Sequence, residues 1–342
     1  MPAYDPRGGG NVHIDVVLSN ISVARLQESL NVASRLAPAV RVNKQSDKYY
    51  VHGRESWRAP NFGGDVRAPA GRANEIPGLR VSTDTYYAYE HALQGTVTPE
   101  ERENADRPLN PDRDMTDLVT SQIVLGRELA FRDLVTDPTN YAAENVITLS
   151  GMDQFSDHEN SDPISVFREV IRRFHSKMYV VPNTVVVPWL TMFWLEDHPQ
   201  FRTRVEGVET QWPSRDRVRQ ALGVQNLIVP GAGMNEQNNP GLDEELGYVW
   251  TNDIVFAWVP PRPGIRVPAF MYEFVWPIQG LEQATDRWFD IERVADVIRV
   301  RRRYDFKFIG KNDDVQNDSP GDEAIAGFLI KDAIDPDATI SV

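Results

Sequence analysis

Two clusters carry residue types that can hold a divalent cation or exchange protons: Asp157-His-Glu159 and Glu196-Asp-His198. Carboxylate and imidazole donors suit such a cation, and a histidine beside a carboxylate can act as a general base. Asp157, His158, Glu196 and His198 are therefore the candidate set for an α/β metal-dependent hydrolase. Neither cluster has the His-Glu-x-x-His spacing that puts two ligands on one helix face. The first precedes a helical pattern opening near Asp162, where acids favour the helix dipole. The second ends an aromatic helix, where a histidine meets the opposite pole. Solvated helix ends are the preferred reading of both. Gly231-Ala-Gly233 follows a strand pattern, but Asn235 to Pro240 come next, not the Lys-Ser/Thr and helix of a phosphate loop. No Gly-x-Ser-x-Gly elbow occurs, and without cysteine there is no thiol nucleophile, disulfide or thiolate metal site. The expectation is a protein that is not an enzyme, with no cofactor and no metal.

Binding chemistry is the next possibility. Arg299-Val-Arg-Arg-Arg303 with Lys307 is the densest basic run in a chain of net charge −14. Phosphate binding needs segregated Lys and Arg, yet this run lies in a strand pattern that divides its charges between two faces. Asp296 and Asp305 lie close by, so ion pairs across a sheet or a subunit boundary are the expected use. Trp189, Trp194, Trp212, Trp250, Trp258, Trp276 and Trp288 could line a carbohydrate groove; core and interface packing is the default for that many. The 342 residues, 41% of them hydrophobic, suffice for one large or two medium domains. No apolar run approaches the roughly 18 residues a membrane span needs. The N-terminus lacks a secretory layout, so a cytosolic product is expected.

The elements that must position these residues are mixed. Ile21 to Leu36 has helical spacing at Val23, Leu26, Leu30 and Ala33, and Pro38 ends it. Thr98-Pro-Glu-Glu-Arg reads as one helical turn. Asn110-Pro111 then opens a helix of about 24 residues, with Met115, Leu118, Val119, Ile123, Leu125, Leu129, Ala130 and Leu134 apolar and both sides expected to pack. Gly126 at its centre costs about 1 kcal/mol relative to Ala and is the candidate hinge. From Asp162 the pattern becomes compact α/β: helices at Ile164 to Ser176, Pro188 to about Asp197 and Asp216 to Leu222, and strands at Thr184 to Val187, Val224 to Val229 and Asp253 to Val259. Gly264 to Pro277 and Ile291 to Ile309 read as long strands. Tyr304, Phe306 and Phe308 of the second fall on one face, and Ala324 to Ile330 is the last strand.

The segment from Lys48 to His91 does not fit a self-contained domain. Two strand-like runs, Lys48 to Arg54 and Leu79 to His91, bracket a stretch rich in Gly, Pro and Arg. Structureless stretches of about 20 residues are uncommon in compact domains unless they bind something. Few apolar residues are available at the tip for a local core, so its core belongs on another molecule.

Several pieces of local text, with this order of elements, resemble the major capsid proteins of tailed bacteriophages, the Hong Kong ninety-seven type fold. They are Tyr49-Tyr-Val-His-Gly-Arg-Glu, Ala73-Asn-Glu-Ile, Val81-Ser-Thr-Asp-Thr-Tyr-Tyr, Glu90-His-Ala-Leu93, Pro99-Glu-Glu-Arg, Ala105-Asp-Arg-Pro-Leu and Leu125-Gly-Arg-Glu128. The resemblance implies an α+β fold with an N-terminal arm (1–47), an extended loop (48–95) and a peripheral domain (96–161) whose spine helix spans about 111–136. It also implies an axial domain (162–290) and return strands of the peripheral domain (291–342). It implies a structural protein assembling with itself into hexamers and pentamers around double-stranded DNA. Portal, scaffolding and decoration proteins are possible partners. Assembly would take place in the host cytoplasm, with the product in the virion capsid.

The loop would lie over a neighbour's spine, giving Trp57, Arg58, Phe62, Arg67, Arg72, Tyr86, Tyr87, Tyr89, Arg127, Glu128 and Arg132 as candidate inter-subunit contacts. Some members of the family link loop and neighbour covalently through lysine. Here the only lysine of 48–95 is Lys48, at the loop base, and arginine is no such nucleophile, so non-covalent contacts are expected. Because the arm begins almost at residue 1, scaffolding is expected to be separate or absent. The related alternative is an encapsulin-type cellular compartment.

Overall fold

A computed structural model describes residues 13–14, 32–51, 66–67, 69–72, 82–106, 109–203, 215–236, 245–264, 267, 269–309, 326–335 and 338. In chain order, β1 is His13–Ile14, α1 Val32–Leu36, β2 Ala39–Arg41, β3 Ser46–Val51, β4 Ser82–Tyr87, β5 Tyr89–Val97, α2 Pro99–Glu103 and α3 Pro111–Thr136. They are followed by β6 Val146–Thr148, α4 Pro163–Met178, β7 Thr184–Val186, α5 Trp189–Asp197, α6 Pro199–Thr203, α7 Arg215–Leu222, β8 Asn226–Ile228, β9 Gly233–Asn235 and β10 Leu246–Tyr248. Last come β11 Ile254–Ala257, β12 Met271–Val275, β13 Gln283–Asp290, β14 Ala295–Phe308 and β15 Gly327–Lys331.

The first sheet runs β1-β13-β14-β12-β2, with β5 also paired to β14. Its organiser is the 14-residue β14, whose burial alternates along most of its length. Ile298, Val300, Arg302, Tyr304, Phe306 and Phe308 point to the buried face, while Arg299, Arg301 and Arg303 take the other. The long helix α3 lies against the buried face, with Val119, Ile123 and Val300 in one cluster and the Phe131 ring 5.1 Å from that of Phe306. Its start is held as the sequence predicts: the Asn110 side chain accepts from Arg113 N–H, and Pro111 takes the first helical position. The helix buries one stripe, not two sides. Leu118 and Ala130 are exposed, Phe131 and Val135 are in the core, and the stripe is completed by Thr116, Thr120, Arg127 and Glu128. At Gly95 of β5 an added Cβ would lie 2.1 Å from Met115 Sδ, so glycine is what lets strand and helix approach.

The second sheet runs β6-β15-β11-β7-β8. One face carries Val185, Ile254, Phe256, Phe328 and Ile330 against Phe167, Val170 and Phe174 of α4, Met192 and Leu195 of α5, and Val218 and Leu222 of α7. The opposite face, Val186, Val255, Ala257 and Leu329, joins Phe131, Phe270, Phe306 and Phe308 in a core shared with the first sheet. Burial on both faces, with alternate residues joining different cores, therefore makes this sheet the middle layer between helices and the other sheet.

Pairing places β12 and β13 on either side of β14 in the first sheet, and β15 between β6 and β11 of the second. The reason is long-range partnering: Gly327-Phe-Leu-Ile330 is buried on both faces, a requirement met only inside a sheet. Within the long-strand expectations, Gly264 to Pro277 shrinks to Met271–Val275, and Ile291 to Ile309 becomes the second strand of a β13–β14 hairpin.

Candidate functional site

The sequence candidates for chemistry resolve into structural contacts. Asp157 accepts from Glu159 N–H, Asn160 N–H and the Asn160 amide. These bonds hold its carboxyl below the usual range. Glu196 faces Arg215 at 3.8 Å. His198 is 1% exposed; its Nδ1 accepts from Gln200 N–H at 3.2 Å, which leaves Nε2–H to donate to Ser161 Oγ at 3.1 Å. Both ring nitrogens of His198 are thus committed to protein hydrogen bonds. His158 stands edge-on to it, ring centroids 5.2 Å apart. Burial, and then the neighbouring His158, lower the His198 pKa. His91, stacked on Tyr304 at 4.2 Å, is lowered by burial as well.

Lowered histidine pKa values set a pH dependence. The unfolded chain takes up these protons near pH 6.5 and the folded chain only below it, so stability is full above pH 6.5 and falls on acidification. The urea midpoint of the dissociated subunit is expected to drop between pH 7.5 and 5.5, and His198→Asn to reduce that drop. An unchanged drop in the variant would contradict the assignment.

The basic run is spent inside the subunit. Arg299 and Arg301 both reach Asp286 Oδ2, at 2.8 and 2.7 Å, and Arg303 reaches Glu90 at 2.6 Å while its guanidinium lies 4.4 Å from the Trp276 ring centre. Arg302 takes the opposite face and meets Glu273 at 2.9 Å. Ion pairs across the sheet are therefore what this run makes.

Glu273, fully buried, also takes a two-pronged contact from Arg127, Nε to Oε1 at 2.9 Å and Nη2 to Oε2 at 2.6 Å. Burial raises the Glu273 pKa, but the two guanidinium groups outweigh it and hold the carboxyl below its ordinary value. Arg127 Nη2 also donates to Ser34 Oγ at 3.1 Å. Next to it Glu128 accepts from Trp250 Nε1 at 3.1 Å and from Ala33 N–H at 3.2 Å, clasping the start of α1; burial pushes its pKa up. Arg127 and Glu128, expected at a subunit boundary, are instead the buried joint between helix, sheet and arm. A mid-helix Arg-Glu pair reads as solvated surface unless its partners from distant strands are known. Arg132 likewise binds inside the subunit, to Val249 O at 2.9 Å and Asp133 at 2.6 Å.

The bracketed arm is a real two-stranded ribbon: β3 and β4 pair antiparallel, with Tyr49 opposite Asp84. Its base is fixed by Tyr49 and Tyr86, whose rings sit 5.1 and 4.7 Å from Phe274. Tyr86, 5% exposed, therefore belongs to the subunit's own core. Tyr87 and Tyr89 remain outside, 44% and 59% exposed, with rings 4.6 Å apart on one face of an extended chain. Tyr89 opens β5 and pairs with Tyr304, so the ribbon hands over to the first sheet at Ala88, earlier than the sequence range of 48–95 implies. Arg67 and Arg72 are exposed, and Arg67 donates to Gly71 O at 3.1 Å. Trp57, Arg58 and Phe62 lie outside the described residues. One feature escaped sequence reading: an apolar cleft between α2 and the start of α3, lined by Val97, Leu109, Met115 and Leu118 and rimmed by Glu100 and Asp114.

No protein-family profile matches the chain. The major capsid protein of Burkholderia phage BcepMu is 26% identical over 253 residues, covering 73% of this chain and 78% of that one. The major capsid protein of Pseudomonas phage JBD67 is 29% identical over 188 residues, 55% of this chain and 58% of its own length. Among solved structures, a phage-related protein from Bordetella bronchiseptica RB50 superposes with a TM-score of 0.69 at 20% identity, covering 95% of this chain and 99% of that one.

Proposed function

We propose that this chain, which belongs with the tailed-bacteriophage major capsid proteins of the Hong Kong ninety-seven type, closes into an icosahedral shell of hexamers and pentamers around packaged double-stranded DNA. Its role is structural, and self-assembly into a shell is the activity that matters. The alignment with a phage major capsid protein over 253 residues carries this reading, and it favours a virion over a cellular compartment. The surface supports it too: Tyr87 and Tyr89 present aromatic rings to solvent beside the paired strands β3 and β4.

The contact between subunits is proposed to run from that ribbon to a neighbour and to hold without covalent links. Trp57, Arg58, Phe62, Arg67, Arg72, Tyr87 and Tyr89 are the residues offered for it. Gly126 is proposed as the bending point of α3, because an added Cβ would meet nothing within 4 Å and packing alone does not require glycine there. Assembly takes place in the host cytoplasm, and portal, scaffolding and decoration proteins are the partners a growing shell would meet. Electron microscopy of the purified chain tests the reading by its product, closed particles.

A further inference from the structure

We infer that the cleft between α2 and the start of α3 is the socket for Trp57 of a second copy of this chain. The cleft is an open groove of about 590 Å³. Val97, Leu109, Met115 and Leu118 supply its apolar lining, and Leu109 and Leu118 are 65% and 54% exposed in the single subunit. It is a built feature. The Thr98 side chain and the Glu101 carboxylate cap α2 reciprocally, and Arg102 ties that helix to Asp112 at 2.6 Å and to Asp296 of β14.

Two observations choose the occupant. The first is charge. Residues 98–114 hold six acids against three arginines, whereas residues 52–81 hold Arg54, Arg58, Arg67, Arg72 and Arg80 against Glu55, Asp65 and Glu75. In that second segment Trp57 is the aromatic residue flanked by arginines, Arg54 and Arg58. An aromatic anchor with arginines about it matches an apolar socket with Glu100 and Asp114 at its edge.

The second is reach, which decides between the same subunit and another. Tyr49 is fixed at one end of β14, its hydroxyl donating to Phe308 O at 3.3 Å. The cleft lies at the other end, where Val97 pairs with Asp296. Twelve residues of strand separate Asp296 from Phe308, about 40 Å at roughly 3.3 Å per residue. From Tyr49 to Trp57 a fully extended chain spans at most about 29 Å. Trp57 therefore falls short of its own cleft, and the socket is filled in trans. This rests on the shell reading above and adds to it the pocket, the anchor and the direction of contact.

The test places the photo-cross-linker p-benzoylphenylalanine at position 57, assembles the variant from a mixture of ¹⁵N-labelled and unlabelled subunits, and maps cross-links by mass spectrometry. Cross-links from position 57 to peptides within 97–118, with mixed isotope labels, are the expected result. Links confined to one subunit, or mapping elsewhere in intact particles, would overturn the socket and leave the shell reading standing. Should the variant form no particles, the same cross-linker at Leu118 reports from the other side, and links to residues 52–62 of another copy are required. Failure of the unmodified chain to form particles would remove the shell reading and the socket together.

Discussion

Glu273→Ala is expected to be the most damaging single substitution in this chain. Glu273 stands between Arg127 and Arg302, all three buried. Removing the one carboxylate leaves two like charges facing each other, where breaking a buried pair typically costs about 3–5 kcal/mol. Against a usual total stability of roughly 5–15 kcal/mol, that loss takes most of a marginal fold. The measurement is urea unfolding of the dissociated subunit, with recovery of soluble protein as the cruder readout. Replacing all three together, Arg127→Met, Glu273→Leu and Arg302→Met, is expected to cost much less than Glu273→Ala, because no two like charges are then left facing each other. If Glu273→Ala unfolds at the wild-type midpoint, the network does not carry the joint assigned to it.

Deleting Asn61 to Asn74 is expected to act on a different quantity. The ribbon base is anchored by Tyr49 and Tyr86 on Phe274, and among the described residues neither sheet draws a strand from 61–74, so the subunit should fold with a near-normal urea midpoint. Assembly should fail, because the segment proposed to carry the contact between subunits is shortened. Size-exclusion chromatography separates the outcomes: a folded, dissociated subunit is predicted, and normal particles from the deletion would refute the loop's role. Together the two variants divide fold stability from shell stability.

Much of this was legible in the chain. Asn110-Pro111 marked the start of α3, and Asp162-Pro163 that of α4, because cap and first-turn signals are local. The ribbon was legible from two β-rich runs around a Gly- and Pro-rich stretch. What local text could not hold was partnering across hundreds of residues. Arg127 and Glu128 have the composition of a solvated helix face, and only Glu273, Arg302, Trp250 and Ala33, brought from elsewhere, make burial tolerable. Tyr86 and Tyr87 are adjacent and chemically identical, yet strand alternation sends one into the core and the other to solvent. The register that decides between them is set by pairing with Ser46 and Asp47, which spacing alone did not specify. β15 reads as a strand from its apolar run, but its partners β6 and β11 are likewise beyond local text.

The most direct test of the central claim is electron microscopy, with sedimentation, of the purified full chain at micromolar concentration. Closed, uniform particles sedimenting far faster than a 38.8 kDa subunit are predicted. A stable, monodisperse monomer that forms no particles across salt and pH would contradict it.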